Sequence, residues 1–131
     1  MMRIAMRPLA IAAVLLIAAI PSTAAPRRGE VPVATPTGKP VDCLATYQIR
    51  QSRVRNDSVI DFELRNGKTY RNTLPQSCPR LGFEERFASQ TTINQLCSTD
   101  IITVLSVAAP SAGASCGLGK FQPVTIAKKA R

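Results

Sequence analysis

Four cysteines, Cys43, Cys78, Cys97 and Cys116, stand in a chain of 131 residues that has no histidine, and the fold open to it depends on whether they are oxidised. The N-terminus bears on that question. Arg3 and Arg7 precede twelve residues, Leu9 to Ile20, that are only Leu, Ile, Val and Ala. A positive end followed by a short apolar run reads as a secretory signal peptide. Pro21 ends the run, and Ser22 and Ala24 put small residues at the −3 and −1 positions of a cleavage site after Ala24. Twelve helical residues span about 18 Å, well short of a ~30 Å hydrocarbon core, so residues 1–24 read as a cleaved signal and not as an anchor. No cysteine lies at the cleavage point to direct lipid attachment, and no other stretch is apolar enough to serve as a transmembrane anchor. The expected destination is the periplasm or the medium, where an even number of cysteines forms disulfides.

Other uses of the cysteines fit poorly. Zinc sites draw on pairs separated by two to four residues, often with His, whereas the spacings here are 35, 19 and 19. No metal is expected. A redox catalyst would carry Cys-x-x-Cys, which is absent. Three pairings are open, and sequence does not choose among them. The reading favours Cys43 with Cys116, tying the start of the fold to its last strand, and Cys78 with Cys97. Each bridge would contribute about 3–4.5 kcal/mol on the chain-entropy account.

Removing the signal leaves 107 residues, enough for one domain with a modest core. Residues 25–40 carry Pro26, Pro32, Pro36 and Pro40 without helical or strand periodicity and read as a flexible leader. A single β-rich domain is expected over 41–125, and 126–131 is a basic tail. Within the domain, Ser58 to Leu74 alternates around Arg65-Asn66-Gly67 and predicts a β-hairpin. A three-residue loop with Gly67 left-handed places Phe62 opposite Tyr70 and Ile60 opposite Asn72, collecting Ile60, Phe62 and Leu64 on one face. Tyr47 to Val54 predicts an earlier strand, Asp100 to Val107 a central one, and Cys116 to Phe121 the last. Phe83 to Leu96 reads as mostly strand with at most one helical turn, and Ala108 to Ser115 as a loop. The fold class is mainly β, a small antiparallel sheet or partly open barrel of five or six strands stapled by disulfides.

Chemistry is sparse. Without His, the commonest general acid or base near neutral pH and every His-dependent triad are missing. Ser115 in Gly113-Ala-Ser-Cys-Gly-Leu-Gly breaks the Gly-x-Ser-x-Gly pattern, and its glycines lack the third position of a dinucleotide fingerprint. Asp61 with Glu63, and Glu84 with Glu85, are the acid pairs at hand, but a glycoside hydrolase also builds an aromatic cleft and this chain has no Trp. No catalytic residue and no cofactor are assigned.

Charge has a direction. Arg3 and Arg7 leave with the signal, so the mature part keeps 15 basic and 8 acidic residues, a net +7. Arg50, Arg53 and Arg55 fall on or beside the first strand, and Arg65, Lys68 and Arg71 on the hairpin. Together they form a candidate anion-binding surface, with Asp57, Asp61 and Glu63 interrupting it. Nucleic acid is not expected, because stacking aromatics are few and the chain is exported.

Several strings occur together: Tyr70-Arg-Asn-Thr-Leu-Pro75, Cys78-Pro-Arg-Leu81, Leu96-Cys97 with Asp100 and Ile102, and Cys116-Gly-Leu-Gly-Lys-Phe121. In these the chain resembles a family of small exported bacterial proteins known only as a domain of unknown function. The resemblance covers about Cys43 to Val124 and implies a shared fold, with no activity, ligand or catalytic residue attached. The leading expectation is a non-enzymatic periplasmic or envelope-associated module that binds an anionic envelope component or protein. A secreted enzyme inhibitor presenting Ala108 to Ser115 is the alternative, and a small hydrolase the second.

Overall fold

Short alternating runs divided by Pro, Gly and Asn give short strands, and the computed structural model has ten of them among the described residues, which are 29–91, 93–107, 113–127 and Ala19. They are β1 (Ala34–Pro36), β2 (Cys43–Ala45), β3 (Ile49–Val54), β4 (Val59–Leu64), β5 (Thr69–Thr73), β6 (Phe87–Ser89), β7 (Gln95–Cys97), β8 (Ile101–Val104), β9 (Ser115–Gly117) and β10 (Phe121–Ile126). One helical turn, α1 (Leu81–Glu84), and a 3₁₀ turn, Thr46–Gln48, complete the set. The strands form three open antiparallel sheets: β1-β10-β5-β4-β3, β6-β8-β9 and the pair β2-β7. The mainly β, disulfide-stapled fold expected from the sequence is the fold observed, and no barrel closes. The signal segment lies outside the described residues apart from Ala19, as do residues 108–112 of the expected loop and residues 128–131 of the tail.

The hairpin of β4 and β5 has the three-residue loop. Gly67 takes φ +85°, where a side chain would be strained, and its N–H donates to the Leu64 carbonyl while Leu64 N–H donates to Lys68. Phe62 then pairs with Tyr70 and Ile60 with Asn72. The face carrying Ile60, Phe62 and Leu64 is buried against the three-stranded sheet, in which β8 is the central strand as its apolar run predicts. Phe62 is the joint between the layers, meeting Phe121 of β10 edge-to-face at 5.4 Å and Phe87 of β6 at 6.3 Å.

Asn72 sits on this apolar face with no exposed surface. A buried amide there needs partners for both ends, and the backbone of Gly119 supplies them. Asn72 Nδ2 donates to the Gly119 carbonyl at 2.7 Å and Gly119 N–H donates to Asn72 Oδ1 at 2.9 Å. A Cβ on residue 119 would lie 2.3 Å from the Thr73 carbonyl oxygen, so only glycine fits the clamp. The Tyr70-Arg-Asn and Cys-Gly-Leu-Gly strings thus meet in one structural contact.

Besides the strands, which number ten among the described residues where five or six are expected and divide the run Cys116 to Phe121 between β9 and β10, two expectations are corrected. The disulfides are Cys43–Cys97 and Cys78–Cys116, not Cys43–Cys116 and Cys78–Cys97. The favoured pairing assumed that Cys116 lies on the strand that meets the start of the fold. That strand is β10 instead: Val41 bridges Phe121, five residues beyond Cys116. Cys43 is therefore left opposite Cys97 in the β2-β7 ladder, while Cys116 on β9 meets Cys78, which the Asp57 carbonyl holds through Cys78 N–H. The second correction concerns the leader and the tail. Ala34, Thr35 and Pro36 pair with Ile126, Thr125 and Val124, which makes β1 an edge strand and extends β10 to Ile126. Proline is tolerated there because one side of an edge strand makes no ladder bonds.

Replacing Asn72 with Leu should lower stability by about 1–3 kcal/mol, since it leaves the Gly119 amide groups without partners, and Gly119→Ala should cost at least as much; urea denaturation midpoints measure both. The two bridges should also differ in access. Cys43 is exposed whereas Cys78 is buried, and thiol exchange needs a reachable sulfur. Limited dithiothreitol followed by alkylation and peptide mapping should label Cys43 and Cys97 first.

Candidate functional site

The candidate arginines arise on β3 and β5, which flank β4 and its two acids. In register, Arg53 lies opposite Asp61, Gln51 opposite Glu63, and Arg71 opposite Asp61 from the other side. This row faces away from the apolar core. Asp61 is only 2% exposed and accepts from Arg55 Nε at 2.8 Å, Arg71 Nε at 2.8 Å and Arg71 Nη2 at 3.0 Å. Arg71 Nη1 donates onward to the Pro32 carbonyl at 2.9 Å, so the segment before β1 lies against this cluster. Glu63 takes the guanidinium of Arg50, Gln51 Nε2 at 2.6 Å and, at 3.8 Å, Arg53 Nε. Arg65 donates to the Tyr47 carbonyl at 2.9 Å.

Arg50, Arg53, Arg55 and Arg71 are thus brought together, as the sequence suggests, but around counter-ions of the chain itself. An arginine already forked onto a carboxylate has little left for an external anion. The face is chiefly a structural ion-pair network, deepest at Asp61. Lys68 stands apart from it at the hairpin end.

A different basic site emerges where the first and last strands meet. Four residues separate Pro36 from Val41, but only two separate their partners Val124 and Phe121. The two extra residues bulge outward at Gly38-Lys39-Pro40. Gln122 Nε2 donates to the Gly38 carbonyl at 2.7 Å and pins the bulge, and a Cβ on Gly38 would press on the Pro123 ring at 3.3 Å. Between the bulge and the hairpin turn lies a groove of about 700 Å³, walled by Lys39, Val41, Lys68, Tyr70, Pro123 and Thr125 among others. Tyr70, half-buried against the core cluster, gives it a fixed aromatic wall. Neither Lys39 nor Lys68 forms an ion pair with any described residue, and no carboxylate is among the lining residues.

Lys39 and Tyr70 were missed as site residues. Lys39 looked like part of a leader, and Tyr70 reads as core because its face is the hairpin's apolar one. The extra residues at Gly38-Lys39-Pro40 can be recognised as a bulge only once the pairing of β1 is known.

Three of the four acids in the candidate pairs are engaged in structure. Asp61 and Glu63 hold arginines, as above. Glu84 accepts from Arg80 Nη2 at 2.9 Å; that bond, with the Ser106 hydroxyl and the Val107 N–H also directed at it, holds its carboxyl below the usual range. A carboxyl kept ionised in this way is poorly suited to donate a proton. Ser115 Oγ lies 3.2 Å from Thr103 Oγ, while Lys120 Nζ is 3.8 Å from Asp42 Oδ1. No group of three or more His, Cys, Asp or Glu able to hold a metal occurs among the described residues.

Asp61→Asn should cost about 3–5 kcal/mol, because two partly buried guanidinium groups lose their counter-charge. Arg50→Gln, at a side chain 59% exposed, should change stability by less than about 1 kcal/mol. Comparing the two melting curves separates the structural centre of the network from its rim. Comparison of the chain with family models, curated proteins and solved structures returns no match.

Proposed function

We propose that the mature chain is an exported, non-enzymatic module that binds an anionic partner of the cell envelope or the medium. The observation that carries this reading is the Lys39–Lys68 groove, a concavity with two cations that the chain's own acids leave uncompensated. Desolvated or half-enclosed cations without counter-ions attract anionic ligands and raise their encounter rate. The reading moves the binding locus from the arginine face, where Asp61 and Glu63 already answer the charge, to the end of the sheet.

Export is supported by two disulfides and no free cysteine, a pattern proper to oxidising compartments, together with the signal-like N-terminus. No helix among the described residues is long and apolar enough to cross a membrane. The resemblance to a family of small exported proteins belongs to the same proposal. The Cys78-Pro, Asn72 and Cys116-Gly-Leu-Gly positions on which that resemblance rests are occupied by the disulfide and the Gly119 clamp, so they speak for a common fold.

The purified mature protein should bind a dextran sulfate column at low ionic strength and elute as salt rises, since exposed charge pairs are screened beyond about 10 Å at 0.1 M. The Lys39→Glu, Lys68→Glu double variant should elute at markedly lower salt than Arg50→Glu, Arg53→Glu, although both change the net charge by the same amount. Equal elution of the two variants would refer retention to net charge and set aside the groove.

A further inference from the structure

We infer that the groove receives an acidic sugar, the carboxylated or sulfated residue of a glycan; this rests on the proposed anion binding and assigns its chemical class. Four properties of the walls converge on that ligand. The first is size: at about 700 Å³ the groove falls within the ~300–1,000 Å³ of small-ligand sites, which admits one or two pyranose rings and excludes the flat surface of a bilayer. The second is charge placed on two separate elements. Lys39 rises from the bulge and Lys68 from the hairpin end, so an anionic substituent held between them is contacted from both sides.

The third property is hydroxyl chemistry. Thr37 and Thr125 line the groove on the face of the sheet that carries Tyr70, and no hydrogen bond ties their side chains to another described residue. Threonine hydroxyls both donate and accept, which suits the ring hydroxyls of a sugar, themselves donors and acceptors, whereas an ionised phosphate or carboxylate uses them only as donors. The fourth is Tyr70. Its ring is packed on one side against the core and borders the groove on the other, and an aromatic surface of this kind covers the C–H face of a pyranose while its hydroxyl offers a polar end. A lipid headgroup would be matched by the cations, but not by threonines and an aromatic wall recessed in a concavity. An acidic protein segment would be matched by neither the size nor the ring.

The test uses the mature protein with all four cysteines oxidised, and titration calorimetry with four probes: trigalacturonate, a trisulfated heparin disaccharide, neutral galactotriose, and phosphatidylglycerol vesicles. At least one of the two acidic sugars should bind, and galactotriose should bind at least about tenfold more weakly, because it lacks the charge-assisted hydrogen bonds. Lys39→Gln and Lys68→Gln, both exposed and outside every ion pair, should each weaken the acidic sugar about tenfold. Thr125→Val, also exposed, should weaken it a fewfold, an effect that charge alone does not produce. Vesicle binding that depends on the two lysines, with neither acidic sugar bound, would overturn the sugar assignment and leave anion binding standing. Acidic-sugar binding that ignores Lys39→Gln and Lys68→Gln would overturn the groove. Failure of all four probes, together with failure on dextran sulfate, would overturn the anion-binding reading itself.

Discussion

The pairing of the first described strand with the last is the contact on which the remaining architecture hangs. From Ala34 opposite Ile126 to Val41 opposite Phe121, the N-terminal segment runs antiparallel to β10, and β10 in turn borders β5. This closure has three consequences. It adds a fifth strand to the β10-β5-β4-β3 sheet and covers the outer edge of β10, whose Phe121 packs on Phe62. It lays the Pro32 carbonyl against Arg71, the guanidinium that is forked onto the buried Asp61 carboxylate. And because the two sides of the pairing differ by two residues, it forces the bulge that carries Lys39. Pairing of such distant segments has a large loop-closure cost, which the two disulfides reduce by shortening the open chain.

Clustering of basic residues is a poor guide to where a cation lacks a counter-ion. Ten of the described residues are basic, and those that lie closest together, on β3 and β5, lie close because acids on β4 draw them there. Alternation on a strand places Asp61 and Glu63 two residues apart on one face, and neighbouring strands that carry arginine at the matching positions complete the network. Clustering of like charge in a folded protein therefore calls for a search for the counter-charge before it is read as a site. The lysines at the groove are fewer, come from segments 29 residues apart, and have no such partner.

What the sequence made legible follows the range of the forces involved. The hairpin register could be read because it is decided within a few residues, by a glycine able to take positive φ and by the requirement that Ile60, Phe62 and Leu64 share a face. The β-branched run at Ile101–Val104 is local in the same sense, whereas the helical turn lies at Leu81–Glu84 and not on the Phe83–Phe87 spacing, since Phe87 already belongs to β6. The strand at Ala34–Pro36 was hidden because its residues are proline-rich and exposed, so nothing in their pattern marks them as paired; their partners lie some 90 residues away. The disulfide pairing was hidden for the same reason, since it depends on which strand meets Val41. Once β10 and not β9 takes that place, Cys43 has only β7 beside it. The candidate site inherits this difficulty, because Thr37, Gly38 and Lys39 on one of its walls come from the segment that local reasoning leaves outside the fold.

The exposed disulfide stands close to that groove in the chain. Cys43 follows Val41 by two residues, and Val41 both lines the groove and bridges Phe121. On the other side of Cys43, the β2-β7 ladder is only three residues long, too short to hold by backbone bonds alone. The Cys43–Cys97 bond therefore anchors one end of the segment from which Lys39 projects, and the pairing of β1 with β10 anchors the other. The opposite wall has no such dependence: Lys68 and Tyr70 belong to a hairpin whose strands are paired on both sides and whose inner face is the core. The two walls thus draw their rigidity from different sources, one from tertiary packing and one from a covalent bond that only an oxidising compartment maintains. Where the chain is oxidised both walls of the groove are held in place, and an oxidising compartment is the one that a signal peptide would select.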